Sequence, residues 1–142
     1  MKITFEKQGE IKILPIFKGE KVKDLSKETQ DWIQSSKSFS GDLGETFALV
    51  APGQENIVLV GLGKKEDFDK EQLKSASYKL GRFIGDKEIN NIKFSSENVD
   101  KLEDKNYLFA IIEGLYLSSY NFDYYKSEKD KFNLENIYFA LN

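Results

Sequence analysis

The chain has 142 residues and contains neither histidine nor cysteine, so imidazole bases, thiolate nucleophiles, disulfides and cysteine-ligated zinc are all excluded. Hydrophobic residues make up 39% of it, enough for one disulfide-free core of single-domain size. The net charge is -3 and Arg82 is the lone arginine, which argues against a dedicated nucleic-acid reader, because the guanidinium fork carries bidentate recognition of phosphate and guanine.

In chain order, two extended segments come first, at 2–6 and 11–17, with Gln8-Gly9-Glu10 as a tight turn between them. Pro15 interrupts the second. Val22, Leu25, Thr29, Trp32 and Ile33 then fall at helical spacing and predict an amphipathic helix ending near Ser35, followed by a polar, glycine-containing loop to Gly44. The clearest strands are 46–51 and 56–62, joined through Pro52-Gly53 as a hairpin. Ile57-Val58-Leu59-Val60 is a continuous apolar run, the pattern of a strand covered on both faces.

The best helix start is Phe68-Asp69-Lys70-Glu71-Gln72-Leu73, where Asp69 caps the first turn, Gln72 completes a capping box and Phe68 staples onto Leu73. Leu73, Ala76, Leu80, Phe83 and Ile84 continue the helix, and Gly85 supplies a stop. A short strand at 91–94 follows. The apolar stretch 107–117 reads as a helix buried on most sides, and 134–141 as a final strand, with the chain ending one residue later. The order β-β-α-β-β-α-β-α-β predicts a three-layer α/β/α fold around a mixed sheet, in one domain over residues 1–142. No apolar run approaches the roughly 20 residues of a membrane span. The N-terminus carries charges where a secretory signal has its apolar core. The expectation is a soluble cytoplasmic protein without a membrane partner.

Four features could carry chemistry or binding. Gly61-Leu62-Gly63-Lys64 lies between a strand and a capped helix, where phosphate loops occur. The dinucleotide fingerprint would need glycine at position 66, which is Glu66, and the P-loop would need Ser or Thr where Lys65 stands. A structural turn is the better reading, since the Asp69 carboxylate would repel an anion. The carboxylates Asp67, Asp69 and Glu71, or Glu103 and Asp104, read as capping and solvated charge. Without histidine, a serine nucleophile needs a lysine base, and Ser119 and Ser127 fall in an aromatic tail with none placed for it. That tail holds Tyr116, Tyr120, Phe122, Tyr124 and Tyr125, interleaved with Lys126, Lys129 and Lys131. It can stack single-stranded bases, anchor a protein interface, or close the end of the domain's own core.

Gly41-Asp42-Leu43-Gly44-Glu45-Thr46, the strand running into Leu59-Val60-Gly61-Leu62-Gly63-Lys64-Lys65, and Glu113-Gly114-Leu115 with Tyr120-Asn121-Phe122-Asp123-Tyr124-Tyr125-Lys126 together resemble the N-terminal domain of the cytosol (leucyl) aminopeptidases. Their order and separation match over essentially the whole chain. The resemblance implies a macro-domain-like α/β fold and a non-catalytic role in a hydrolase that releases N-terminal amino acids from peptides. It also implies that the two divalent metals, zinc or manganese, and all catalytic residues belong to a C-terminal domain. Its Asn-Thr-Asp-Ala and Gly-Arg-Leu motifs are missing here. No catalytic, cofactor-binding or metal-binding residue therefore carries over. The implied partners are that catalytic domain and the sister subunits of a homo-hexamer, with the five aromatics as candidate interface. The alternative is a free-standing macro-like module for a nucleotide or single-stranded nucleic acid. The Asn-Ala-Ala-Asn-like segment of ADP-ribose-binding macro domains is absent.

Overall fold

A computed structural model of the chain describes residues 2–4, 11–21, 26–36, 39–49, 56–87, 89–96, 98–125 and 136–140; side chains are described within these except at 2–4, 34–36, 121–125 and 140. Six strands form one sheet in the order β1-β6-β5-β2-β4-β3. The strands are β1 (Lys2–Thr4), β2 (Ile11–Ile16), β3 (Thr46–Leu49), β4 (Asn56–Gly61), β5 (Asn91–Ser95) and β6 (Asn136–Ala140). The helices are α1 (Lys27–Ser36), α2 (Lys70–Asp86) and α3 (Lys105–Tyr125). All neighbouring strands are parallel except β3, which runs antiparallel to β4 in the expected pairing. This is the mixed-sheet α/β/α architecture with the expected order of elements.

The apolar run of β4 shows why the layers exist. Alternate side chains point to opposite faces, so Val58 and Val60 enter the core beneath α2 and α3 while Leu59 enters a second, smaller core with Leu14, Ile16 and Ile33 of α1. The larger core continues across the sheet through Ile13, Ile92, Phe94, Ile137 and Phe139. Ser26 starts α1 by accepting the Thr29 N–H at 3.2 Å. Val22 and Leu25 lie outside the described residues, and Trp32 is 53% exposed beside Phe47, at 5.8 Å between ring centroids. Asp69 caps α2 by accepting the Gln72 N–H at 2.8 Å.

Five expectations need correction. First, β1 does not lie beside β2: it pairs with β6 at the far edge, separated from β2 by two strands. The turn expected at 8–10 and the one at Pro52-Gly53 fall outside the described residues. Second, Pro15 does not interrupt β2, which pairs with β4 through Ile16. Leu62 donates to the Ile16 carbonyl and Lys18 donates to the Gly63 carbonyl, so even-numbered residues turn their backbone groups toward β4 and Pro15 faces β5. The ladder with β5 ends at Ile13↔Phe94, so the absent N–H of Pro15 breaks no pairing. Third, Gly85 is not the stop of α2: it is buried inside the helix, which ends at Asp86 with Lys87 donating to the Phe83 carbonyl.

Fourth, the aromatic segment is not a tail, because α3 continues through Tyr125. Fifth, α3 is not buried on most sides. Leu108, Ile111, Leu115 and Ser118 repeat at helical spacing and face α2 and the sheet, whereas Phe109, Tyr116, Leu117 and Tyr120 are exposed. An apolar helix is buried only where something packs on it: α2, residues 100–103 and the sheet cover the inner face of α3 and leave Phe109, Tyr116 and Tyr120 exposed.

Candidate functional site

In parallel α/β sheets, ligands meet the protein at the carboxyl ends of the strands. At the end of β4 that edge is occupied by the protein's own loop. Residues 39–45 fold over the end of β4, and their backbone is stitched to the glycine turn. Gly61 N–H donates to the Glu45 carbonyl at 2.8 Å, Leu62 N–H to Ile16 at 2.9 Å and Gly63 N–H to Gly41 at 2.9 Å. A phosphate loop works by aiming free amides at an anion. These three amides are already engaged, so the turn is a seat for the loop. A Cβ at Gly61 would overlap the Asp42 carbonyl oxygen, which explains the glycine there by close approach.

The charged groups of the loop are also committed internally. The Glu45 Oε1 accepts from the Ser40 N–H at 2.8 Å, the Gly41 N–H at 3.0 Å and the Ser40 hydroxyl at 3.2 Å. Lys18 and Asp42 form an ion pair at 2.9 Å. The hydrogen bond from Lys18, then one from Ser40 and the lysine charge, holds the Asp42 carboxyl below its ordinary 3.8. The hydrogen bond to Asp42 and its charge raise the Lys18 ammonium above 10.5.

Four other carboxylates are likewise engaged within the chain. Asp104 caps α3 by accepting the Asn106 N–H at 2.8 Å, and Glu103 accepts from the Ser96 hydroxyl at 3.4 Å. Glu113 meets Lys74 at 3.8 Å and Glu20 meets Lys65 at 3.9 Å. Among the described residues no group of three or more Asp and Glu could hold a metal ion. The resemblance assigns the two divalent metals to a C-terminal domain, and no reaction step is routed through them here. Ser119 donates to the Tyr116 carbonyl at 3.0 Å, and Ser127 lies outside the described residues. Among the described helices none is long and apolar enough to cross a membrane.

What stays unsatisfied is the outer face of α3. Phe109, Tyr116 and Tyr120 are 61%, 62% and 61% exposed. Their spacing of seven and then four residues places them on one side of the helix, a stripe about 16 Å long at 1.5 Å per residue. Phe122, Tyr124 and Tyr125 extend the same helix, with side chains outside the description. Of the expected interface residues, Tyr116 and Tyr120 therefore stand in solvent and do not close the domain's own core. Phe109 escaped the sequence reading because it sits in a run that is apolar throughout. The seven-residue step from Phe109 to Tyr116 was the signal available.

Residues 7–129 match the profile of the cytosol aminopeptidase family, N-terminal domain. A probable cytosol aminopeptidase of Clostridium tetani is 27% identical over 142 residues, covering 99% of this chain and 30% of that protein. One from Clostridium perfringens is 32% identical over 100 residues, or 68% of this chain and 20% of the relative. The chain thus spans less than a third of the length of these curated relatives. Among solved structures, a tomato leucine aminopeptidase variant superposes with a TM-score of 0.72 at 20% identity, over 99% of this chain and 32% of that one. The bottromycin maturation enzyme BotP superposes with 0.66 at 18% identity, over 94% of this chain and 27% of that one. BotP has also been solved in complex with manganese. At these identities the superpositions establish the shared fold.

Proposed function

The chain belongs to the cytosol aminopeptidase family, as its N-terminal domain, and on that premise we propose that it is a non-catalytic scaffold whose outer α3 face packs on a catalytic domain or a sister subunit. The parent enzyme would be a cytoplasmic two-metal exopeptidase that releases N-terminal amino acids from peptides, assembled as a homo-hexamer. Zinc or manganese and the bond-breaking residues would reside in the C-terminal domain. The observation that carries the reading is the stripe of Phe109, Tyr116 and Tyr120. Full burial of one such side chain is worth about 1.5–3 kcal/mol. With three-fifths of each ring still wet, covering all three would contribute roughly 3–5 kcal/mol. Tyrosine and phenylalanine are also enriched, and lysine depleted, at the centre of protein interfaces.

The direct test is turnover. Purified chain incubated with a leucyl substrate and added manganese or zinc should release no product above the metal-only blank. Sustained release that tracks with the chain through purification would place chemistry in these residues and end the scaffold reading.

A further inference from the structure

From the backbone pattern of the sheet we infer that the open edge of β3 pairs with the same edge of a second copy of this chain, continuing the sheet antiparallel across a two-fold axis at Phe47. Among the described residues β3 ends the sheet, with β4 as its one strand neighbour. The ladder fixes which of its backbone groups are open. Even-numbered residues of β4 turn toward β2, since Leu62 just beyond it donates to the Ile16 carbonyl, so odd-numbered ones turn toward β3. Gly61 accordingly donates to the Glu45 carbonyl and accepts from the Gly44 N–H, and the Gly44 φ of 80° makes residues 44–45 a glycine bulge opposite it. Past the bulge, Phe47 opposite Leu59 and Leu49 opposite Ile57 are the hydrogen-bonded pairs. Thr46 and Ala48 therefore direct their N–H and C=O groups away from the sheet, and Ala48 is exposed.

Three features select a second copy as the occupant. Natural edge strands are guarded by lysine, proline or an inward charge, and Thr46-Phe47-Ala48-Leu49 has none of these. A two-fold axis there brings no like charges together, and the neighbouring Glu45 carboxylate is held by Ser40 and Gly41. The edge is also self-complementary. Antiparallel pairing about Phe47 sets Thr46 opposite Ala48 of the second copy and Ala48 opposite its Thr46, so the open groups of both residues find donors and acceptors. The third feature is aromatic. Phe47 then meets Phe47 of the second copy as a non-hydrogen-bonded pair, with Cα atoms about 4.5 Å apart. Trp32, 53% exposed, lies 5.8 Å from the Phe47 ring. The two-fold keeps both copies' rings on one face of the sheet, so a cluster of four rings covers indole surface that one chain leaves wet. An edge of four residues is only about 14 Å long, short of a standard interface, so the pairing is weak, with dissociation on the order of 100 μM. It does not depend on the α3 reading.

The test is sedimentation of the chain from about 10 μM to about 1 mM, with amide hydrogen exchange at both ends of that range. A dimer should accumulate. Exchange at the Thr46 and Ala48 amides should slow about fivefold, in proportion to the loss of monomer, while Phe47 and Leu49, already bonded to β4, change less. Ala48→Pro removes one donor from each copy and leaves the β4 ladder intact, because that N–H points away from β4. It should weaken dimerisation about tenfold or more, the effect of two lost hydrogen bonds. Tyr116→Lys combined with Tyr120→Lys should leave dimerisation unchanged, which separates this edge from the α3 face. A chain that stays monomeric throughout the range overturns the inference. So does a dimer that protects Phe47 and Leu49 in preference to Thr46 and Ala48, or one that is lost in the α3 double variant. Should Ala48→Pro fail to fold, the amide pattern of the unsubstituted chain decides alone.

Discussion

The crossing of α2 over α3 is a close joint between two helix backbones, and Gly114→Ala tests it. In an isolated helix that change is stabilising, by about 1 kcal/mol, because alanine is the better helix former. At this position the added Cβ would overlap the Lys74 carbonyl oxygen, and it would lie 2.8 Å from the Ser77 Cβ and 3.0 Å from the Tyr78 nitrogen. Two of these three atoms are α2 backbone and cannot rotate away. Relief requires the helices to separate, which loosens the contacts of Leu73, Ala76, Ile111 and Leu115 in the main core. Overpacking of this kind costs about 1–3 kcal/mol and often more where backbone must move. Because the overlap falls on rigid backbone the cost lies toward the upper end, about 2–3 kcal/mol, and the helix gain leaves a net loss of about 1–2 kcal/mol. For a chain of this size that is a fall of roughly 3–8 °C in Tm. Paired urea and thermal unfolding of parent and variant, with the denaturant slope compared to detect a changed unfolded state, measure it. A Gly114→Ala protein as stable as the parent, or more so, would refute the close crossing.

Three further predictions follow from the loop and the exposed face. Glu45→Ala leaves the Ser40 and Gly41 amides without their acceptor and should destabilise by about 1–3 kcal/mol, while Glu45→Gln keeps an acceptor and should lose roughly half of that. Urea titration ranks the two, and equal losses would mean that charge, not hydrogen bonding, holds the loop. For the Lys18–Asp42 pair the lowered Asp42 pKa contributes stability that is complete above 3.8 and vanishes as pH falls through the lowered value. The raised Lys18 pKa contributes below 10.5 and is lost as pH climbs past its raised value. Melts of Asp42→Asn against the parent should therefore differ slightly near neutrality and converge in acid, and the gap should close in high salt because the pair is exposed. Finally, the double substitution of Tyr116→Lys and Tyr120→Lys should change the chain's own stability by no more than about 0.5 kcal/mol, since both rings stand in solvent. In the full-length parent it should weaken assembly measured by sedimentation; a marked loss of stability in the chain alone would instead make these rings part of its core.

The local pattern of this chain was readable because each signal depends on neighbours in sequence. Asp69 caps α2 three residues ahead of the amide it accepts from, and the doubly covered β4 announces itself by having no polar alternation. The aromatic cluster of the C-terminal third was visible as well, and so was the ordering of elements that implies three layers. The residues lining a cavity at the strand ends were not: Phe17 and Asn98 lie 81 positions apart and, like Phe68, look like ordinary core and turn residues until the sheet brings three strand ends together. Ser118 is a similar case, a serine in an apolar run whose hydroxyl proves to be fully buried without a partner.

Residue order alone determined which segments are strand and helix, that neither imidazole nor thiol chemistry is available, and that the glycine turn lacks the spacing of a nucleotide loop. Tertiary structure decided the rest. It sent β1 to the far edge of the sheet and made Pro15 harmless by facing it toward a strand whose ladder had ended. It also engaged the Gly61 and Gly63 amides with the 39–45 loop and the Leu62 amide with β2, and left one side of α3 uncovered. The physical reason is common to all four: periodicity records which side of an element is apolar, whereas pairing and burial depend on which distant element arrives at that side.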